Sequence, residues 1–256
     1  MDELTPEQYD GVCPLFADLV LYPHLPFCVL EGRQPGRVFA DDADAPTAAL
    51  VCHQTGYSYL GGGTEAAAAW LEREMVEALR LERIKLCAAP GFWEERLRAV
   101  DHLELRPYAI HTYRLDESRR QGLAALPPVP DVCEVYRITA PMLSHRHNEC
   151  LVFFGTPEAW ERHGVGYALL EEGKVASACV TSFVGNGTCD TSLTTLEPFR
   201  RRGYGTQVAA ALVQACLDAG IEPIWHTTPD NVASDRIARR LGYDVFATCT
   251  MYEVRR

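Results

Sequence analysis

The chain has 256 residues, of which 47% are hydrophobic and 23% charged, and its formal net charge is −11. This length accommodates one large domain or two modest ones, and the composition is that of an ordinary globular protein. The acidic balance argues against nucleic acid and anionic membrane as partners, because both require a basic surface.

The N-terminal half is predicted to be an α/β lobe. Segments with the alternation and composition of strands fall at residues 27–31, 37–40, 48–53, 57–60, 84–87 and 104–113. Three glycines and Thr64 precede a stretch rich in alanine and glutamate, in which apolar residues recur at helical spacing. Because threonine is a common N-cap residue, we expect a helix over 65–82, and a second helix over 91–99.

Residues 116–131 interrupt these patterns. The segment begins with charged residues and continues with Pro127, Pro128 and Pro130, a composition typical of an exposed linker. We therefore expect two domains, an N-terminal α/β lobe over 1–115 and a second domain over 132–256.

The second domain is predicted to combine strands with helices. Strands are expected at 132–138, 166–171, 174–183, 188–196, 221–227 and 243–253, with a hairpin turn at Glu172-Gly173. A strong apolar stripe predicts a helix over 203–219, which Gly220 ends, and a further helix over 231–241 ends at Gly242. A shorter helix is expected over 157–163.

The loop before the strongest helix carries the residues for a binding site. It reads Arg200-Arg201-Arg202-Gly203-Tyr204-Gly205 and follows the strand over 188–196. Glycine lets the backbone approach a ligand closely, and the amides of a first helical turn point outward with the helix dipole behind them. A diphosphate fits such a place, and arginines add forked donors. Taken alone, the hexapeptide is equally consistent with a solvated basic turn.

A strand and then a second helix follow that loop. A strand ending in Trp225-His226-Thr227 leads into a helix that begins near Asn231, and the helix ends in the corner Leu241-Gly242-Tyr243. Together with Arg-x-x-Gly-x-Gly, this order resembles the GNAT (Gcn5-related) N-acetyltransferases over residues 132–254, about half of the chain. Within that family, it is similar to the group of the zwittermicin A resistance acetyltransferase, whose members carry an extra N-terminal lobe.

The resemblance implies an α/β (α+β) fold with a mixed, mostly antiparallel sheet flanked by helices. The additional N-terminal α/β lobe is expected to be a smaller or degenerate version of the same plan. The implied function is transfer of an acetyl group from acetyl-CoA, as co-substrate, to a primary amine, with a small molecule as the expected acceptor. Residues implied in holding CoA are Leu193, Thr194, Thr195, Leu196, Arg200, Arg201, Arg202, Gly203, Tyr204, Gly205, Thr206, Asn231 and Ser234.

The catalytic residues are less clearly indicated. Many relatives carry a tyrosine that protonates the CoA thiolate at the position that Ala238 occupies here, which leaves Ser234 or water for this role. An attacking amine must also lose a proton, and Asp190 and then His226 are the candidates for that general base. A structural role is open for each: Asp190 in an ion pair, His226 at a strand end and Ser234 in a local hydrogen bond.

An alternative function belongs to a different class. Because Ala238 replaces the usual tyrosine, the chain is also consistent with a non-catalytic protein that binds or senses acyl-CoA on a GNAT scaffold. Release of CoA in the presence of amines distinguishes the two functions.

Composition and motifs also give expectations about location and partners. The N-terminus lacks the pattern of a signal peptide and no apolar run is long enough to span a membrane, so a cytoplasmic location is expected, with no membrane and no nucleic-acid partner. The ten cysteines are scattered singly, which indicates reduced thiols, and no cluster has standard zinc spacing, so no metal is expected. A monomer or a homodimer is expected.

Overall fold

The computed structural model describes residues 1–17, 19, 22–79, 83–89, 91–99, 104–116, 118, 126, 129–144 and 146–255. The chain divides into two compact units. The first comprises Met1–Ile110 with Cys249–Arg256, and the second comprises His111–Thr248. Most of the predicted linker, namely residues 117, 119–125, 127 and 128, lies outside the described residues. The division into an N-terminal lobe over 1–115, a linker over 116–131 and a second domain over 132–256 stays a prediction.

The first unit combines short helices with one sheet. Its helices are α1 (Tyr9–Val12), α2 (His24–Leu30), α3 (Glu65–Arg73), α4 (Met75–Leu79) and α5 (Phe92–Ala99). Its strands are β1 (Asp2–Glu3), β2 (Gly36–Ala40), β3 (Ala48–His53), β4 (Tyr57–Gly62) and β5 (Arg83–Ala88). They lie in the order β1-β2-β3-β4-β5, and every adjacent pair is antiparallel except the parallel pair β4–β5. Apolar side chains from both kinds of element form a buried core that includes Leu50, Leu60, Trp70, Leu86 and Trp93.

Two predictions for this unit are wrong in detail. Residues 27–31, predicted as β-rich, lie largely in helix α2, whose side chains are almost all buried. A short apolar run buried on all sides has no periodicity, so its composition does not distinguish strand from helix. As far as Leu79, the helix expected over 65–82 is two helices, separated at Glu74, where φ is −127°; residues 80–82 lie outside the described residues. Thr64 does cap α3, because its side chain accepts a hydrogen bond from the amide of Ala67.

The second unit holds strands and helices at the positions predicted for residues 132–248, except that two strands replace the one predicted over 221–227. Its strands are β7 (Cys133–Arg137), β8 (Gly166–Glu171), β9 (Lys174–Gly185), β10 (Thr188–Thr195), β11 (Glu222–Pro223) and β12 (Trp225–Thr227). Its helices are α6 (Glu149–Phe154), α7 (Pro157–His163), α8 (Tyr204–Asp218) and α9 (Val232–Arg240). Helix α6 was not predicted. Strands β6 (Glu104–Leu115) and β13 (Tyr243–Arg255) contain residues of both units.

Five strands of this unit form one sheet in the order β11-β10-β9-β8-β7. The pairs β7–β8, β8–β9 and β9–β10 are antiparallel, and β10–β11 is parallel. Glu172 and Gly173 both have positive φ and close the predicted β8–β9 hairpin, since that conformation suits the twist of a two-residue turn. Helix α8 packs its apolar stripe, which includes Val208, Leu212 and Cys216, into a buried core. The mixed, mostly antiparallel sheet with flanking helices is confirmed.

All ten cysteines are free thiols, and seven of them are buried. Among the described residues, we find no helix that is both long and apolar enough to cross a membrane.

Candidate functional site

The amino end of α8 is open to a ligand. Gly203 is the residue that precedes the helix, and its φ is +83°, a conformation that glycine adopts without strain. A Cβ added there would meet no atom within 4 Å, so the backbone at Gly203 faces open space. Arg201 also has a positive φ, of 65°, and this unusual backbone turns the chain into the helix.

Backbone amides converge at this end of the helix. The amides of Thr206 and Gln207 donate to the carbonyl of Gly203 at 3.0 and 3.2 Å, which starts the helical ladder. The amides of Gly203, Tyr204 and Gly205 precede that ladder and have no helical carbonyl to bond. Such amides, together with the helix dipole, favour an anionic group, and binding of a diphosphate here stays a prediction.

The arginines of the loop have different environments. Arg200 donates through Nε to the carbonyl of Thr195 at 3.1 Å. Arg202 forms an ion pair with Glu171 at 2.8 Å, and the Tyr204 hydroxyl donates to the same carboxylate at 2.6 Å. The side chains of Arg200, Arg202 and Tyr204 therefore hold the loop in place.

A pocket adjoins the amino end of α8. Its wall includes Arg201, Arg202 and Gly203 from the loop and Arg240 from the end of α9. The other lining residues are Leu126, Val129, Pro130, Tyr204, Thr206 and Gln207. Sequence reasoning placed Val129 and Pro130 in a linker and did not single out Arg240, because their proximity to the loop depends on the fold.

Strand β10 packs closely against this helix. A Cβ added at Gly205 would lie 3.0 Å from Oγ1 of Thr195 and 3.6 Å from a methyl of Leu193, so Gly205 permits close contact between helix and strand. Leu193 and Thr195 therefore face α8, and Thr194 and Leu196 are exposed. The predicted segment Leu193 to Leu196 thus lies beside the predicted phosphate loop.

Strands β10 and β12 belong to different hydrogen-bonded sheets. Strand β10 pairs with β11 at Thr188↔Glu222 and Cys189↔Pro223, and β12 pairs with β6 instead. The pairing of β10 with β9 shifts register between Cys189 and Thr191, which indicates a bulge at Asp190. The single strand predicted over 221–227 is therefore two strands, because the chain changes partner at Ile224.

Asp190 on β10 and His226 on β12 are in contact with each other. Nδ1 of His226 lies 3.2 Å from a carboxylate oxygen of Asp190, and that oxygen also accepts from the amide of Thr191 at 2.8 Å. The two side chains are 12% and 4% exposed, so their contact is largely shielded from water. The structure thus brings together the two residues chosen from the sequence as candidates for a general base.

Ser234 and Asn231 lie at the start of α9. The Asn231 side chain accepts from the amide of Ser234 at 3.2 Å and caps the helix. The hydroxyl of Ser234 accepts from the indole of Trp225 at 2.9 Å. Ala238, where many relatives carry a tyrosine, is fully buried.

A tyrosine that sequence reasoning missed lies against the same helix. The hydroxyl of Tyr113, on β6, donates to Asp235 at 2.7 Å. Burial, and then this hydrogen bond to a carboxylate, raise the pKa of Tyr113 to about 12. The same bond and Arg239 hold the pKa of Asp235 below its usual value. Strand alternation marked Tyr113 only as a β residue, and nothing local predicted its partner on α9.

Ser234 and the Asp190–His226 pair lie on different faces of β12. Trp225 lies opposite Tyr113 in the antiparallel pair with β6, so the two side chains share a face, and both bond to α9. Because neighbouring side chains in a strand point to opposite faces, His226 lies on the face away from α9. Ser234 and the Asp190–His226 pair therefore approach β12 from opposite sides.

Comparisons with known proteins agree with this architecture. A family model described as GNAT acetyltransferase matches residues 20–252. The chain is 24% identical to YdfB of Bacillus subtilis, described as an uncharacterized N-acetyltransferase, over 98% of each chain. It is similar to a GCN5-related N-acetyltransferase-like protein from Streptococcus suis, with a TM-score of 0.72 and 22% identity over 97% of this chain and 99% of that one. A tandem GNAT protein from the clavulanic acid biosynthesis pathway matches with a TM-score of 0.68 and 14% identity, over 99% of this chain and 97% of that one.

Proposed function

Because this chain belongs to the GNAT acetyltransferase family, we propose that it transfers an acetyl group from acetyl-CoA to the primary amine of a small molecule. The observation that carries the proposal is the open amino end of α8 at Gly203, next to a strand that loses its neighbour. This supports acetyl-CoA as the co-substrate.

The proposed donor site uses backbone groups at two places. The amides of Gly203, Tyr204 and Gly205 would bind the pyrophosphate, where the helix dipole favours negative charge. From Thr191 onward β10 has lost its pairing with β11, so its edge offers amides and carbonyls to the amide groups of the pantetheine arm. The thioester would then lie in the gap between β10 and β12.

The proposed base is the Asp190–His226 pair. When Nδ1 of His226 donates to Asp190, the carboxylate fixes the tautomer in which Nε2 is the basic nitrogen. An ammonium group that enters beside this pair loses a proton to the imidazole, and the neutral amine attacks the thioester carbonyl. The chain's formal charge of −11 favours the approach of a cation.

The proposed acid lies on the other face of β12. Ser234 accepts a hydrogen bond from Trp225, which leaves its own proton to donate. Donation from Trp225 also polarises the hydroxyl, because hydrogen bonds in a chain strengthen one another. Collapse of the tetrahedral adduct releases the CoA thiolate, and Ser234, or water, would protonate it.

The experiment is a measurement of CoA release from acetyl-CoA with a panel of primary amines. Release that depends on the amine, with formation of the N-acetyl product, supports the proposal. Tight binding of acetyl-CoA without turnover by any amine supports the alternative, a non-catalytic acyl-CoA sensor. Absence of acetyl-CoA binding contradicts both.

A further inference from the structure

The pocket beside α8 has walls of two kinds. Leu126, Val129 and Pro130 form an apolar side, and all three come from the segment that precedes β7. Arg201 and Arg240 line the same pocket and carry cationic side chains. A pocket lined by both apolar and cationic residues fits a ligand that combines a flat ring with an anionic group.

The two arginines differ from their immediate neighbours in the chain. Arg202 forms an ion pair with Glu171, and Arg239 forms one with Asp235. Across the described ranges, neither Arg201 nor Arg240 takes part in an ion pair, and both residues are exposed. Two like charges at one pocket repel each other, and a bound anion would relieve that repulsion.

The arginines also come from different elements. Arg201 precedes α8, and Arg240 is the last residue of α9. A diphosphate on the amides of Gly203 to Gly205 already has its charge met by those donors and the dipole. The charge at Arg240 is therefore available to a second anionic group beside the first.

We propose that Arg201 and Arg240 bind the 3′-phosphate of CoA, with its adenine against Val129 and Pro130. The inference rests on the proposed donor site. The ribose 3′-phosphate carries about 1.5 to 2 negative charges at pH 7 and three acceptor oxygens, which suits two forked guanidinium donors. The site then distinguishes CoA from 3′-dephospho-CoA, which has the same pyrophosphate and pantetheine.

Calorimetric titration of the full chain with CoA and with 3′-dephospho-CoA tests the proposal. We expect the wild-type protein to bind CoA at least about 10-fold more tightly, as a charge-assisted hydrogen bond predicts. Arg240→Gln should weaken CoA binding by about 10-fold and change 3′-dephospho-CoA binding less than about 2-fold. Arg240→Lys keeps the positive charge and loses the forked pair of donors. Its affinity for CoA should therefore lie between those of the wild-type protein and Arg240→Gln.

Two further variants complete the test. Arg236→Gln, at an exposed position of α9 outside the pocket, is the matched control and should leave both affinities unchanged. Arg201→Asn should behave as Arg240→Gln does, because asparagine tolerates the positive φ at this position.

The outcomes separate this inference from the proposed function. Equal binding of the two nucleotides by the wild-type protein overturns the 3′-phosphate site and leaves the donor site standing. An equal loss of both affinities in Arg240→Gln also overturns it, because Arg240 would then serve the pyrophosphate. Failure of both nucleotides to bind the wild-type protein contradicts the proposed function itself. Because Arg240 is exposed, its variants should fold, and an unchanged circular-dichroism melting curve verifies this.

Discussion

Nδ1 of His226 lies 3.2 Å from a carboxylate oxygen of Asp190, and the two residues come from strands of different sheets, since β12 pairs with β6 and β10 pairs with β9 and β11. Both lie in the second unit, on the face of β12 away from α9. The contact joins a strand with a bulge at Asp190 to the strand that begins just after the chain changes partner at Ile224, so two irregularities meet at the proposed base.

The first prediction concerns this pair. Asp190→Asn and His226→Ala should each lower kcat by roughly 10²-fold, because a general base contributes about that much, and should change acetyl-CoA affinity little. In the variant that lacks the base, the acid side of the pH–rate profile should flatten. The measurement is steady-state kinetics from about pH 5 to about pH 9, the region in which a histidine changes its charge.

Asp230→Asn is the matched control, since Asp230 is exposed in the loop between β12 and α9. Its kcat should stay at the wild-type value. Full turnover in both Asp190→Asn and His226→Ala would place proton removal elsewhere and leave the family assignment intact.

The second prediction concerns the two ends of α8. Gly203 and Gly220 both have positive φ, of 83° and 72°, and a Cβ at either would meet no atom within 4 Å. Gly203→Val and Gly220→Val should therefore each lower the free energy of unfolding by at least about 1–2 kcal/mol through backbone strain. Only Gly203→Val should lose acetyl-CoA affinity, because only there does the side chain enter the proposed phosphate site.

Denaturant unfolding and calorimetry measure the two effects separately. Gly220→Val is thus a control for strain at the same helix. Unchanged acetyl-CoA affinity in Gly203→Val would refute the assignment of the phosphate loop.

The third prediction concerns stability against pH. The hydrogen bond from Tyr113 lowers the pKa of Asp235 in the folded protein. A carboxyl group whose pKa is lower in the folded state than in the unfolded state stabilises the fold at any pH above its unfolded-state pKa, which is about 3.9 for aspartate. This stabilisation is lost as the pH falls through the lower, folded-state pKa. Tyr113→Phe should therefore destabilise the protein at neutral pH, by about 1–3 kcal/mol for a bond to a charged acceptor, and less below pH 4.

Urea unfolding of the wild type and of Tyr113→Phe at pH 7 and pH 3 gives the comparison. Tyr108→Phe is the control, because its hydroxyl donates to the sulfur of Met251. An equal decrease in the free energy of unfolding at both pH values would show that the hydrogen bond from Tyr113 does not depend on the charge of Asp235.

The fourth prediction concerns Ser234. Ser234→Ala removes the acceptor for the buried indole of Trp225, and an unsatisfied buried donor costs about 1–3 kcal/mol. This loss should disappear when Ser234→Ala is made in a Trp225→Phe background. If Ser234 protonates the thiolate, kcat should also fall in Ser234→Ala and recover in Ser234→Thr. A kcat at the wild-type level in Ser234→Ala assigns that proton to water.

Long periodic elements of the second unit were predictable from the sequence. The stripe that includes Val208 and Leu212 defined α8, and the strand–loop–helix order located Gly203. Local patterns did not predict what depends on distant partners. The change of partner at Ile224 requires β6, more than 100 residues earlier in the chain, and the Tyr113–Asp235 bond and the position of Arg240 depend on the same tertiary packing.

The N-terminal half was harder to interpret for a different reason. Its elements are short, and α2 is buried on nearly every side, so neither a period of 2 nor one of 3.6 was visible. The similarity to the tandem GNAT protein over 99% of the chain supports the expected repetition of the fold plan. Membership of the zwittermicin A resistance group stays a prediction.

The unpaired edge of β10 also affects the solubility of the purified protein. Beyond Cys189, β10 presents an edge that its parallel neighbour no longer covers, and uncovered edges of this kind pair with other chains. An arm of CoA lying along that edge would occupy its hydrogen-bonding groups and block such contacts. Purified protein without CoA should consequently precipitate sooner on concentration or storage than protein kept with it.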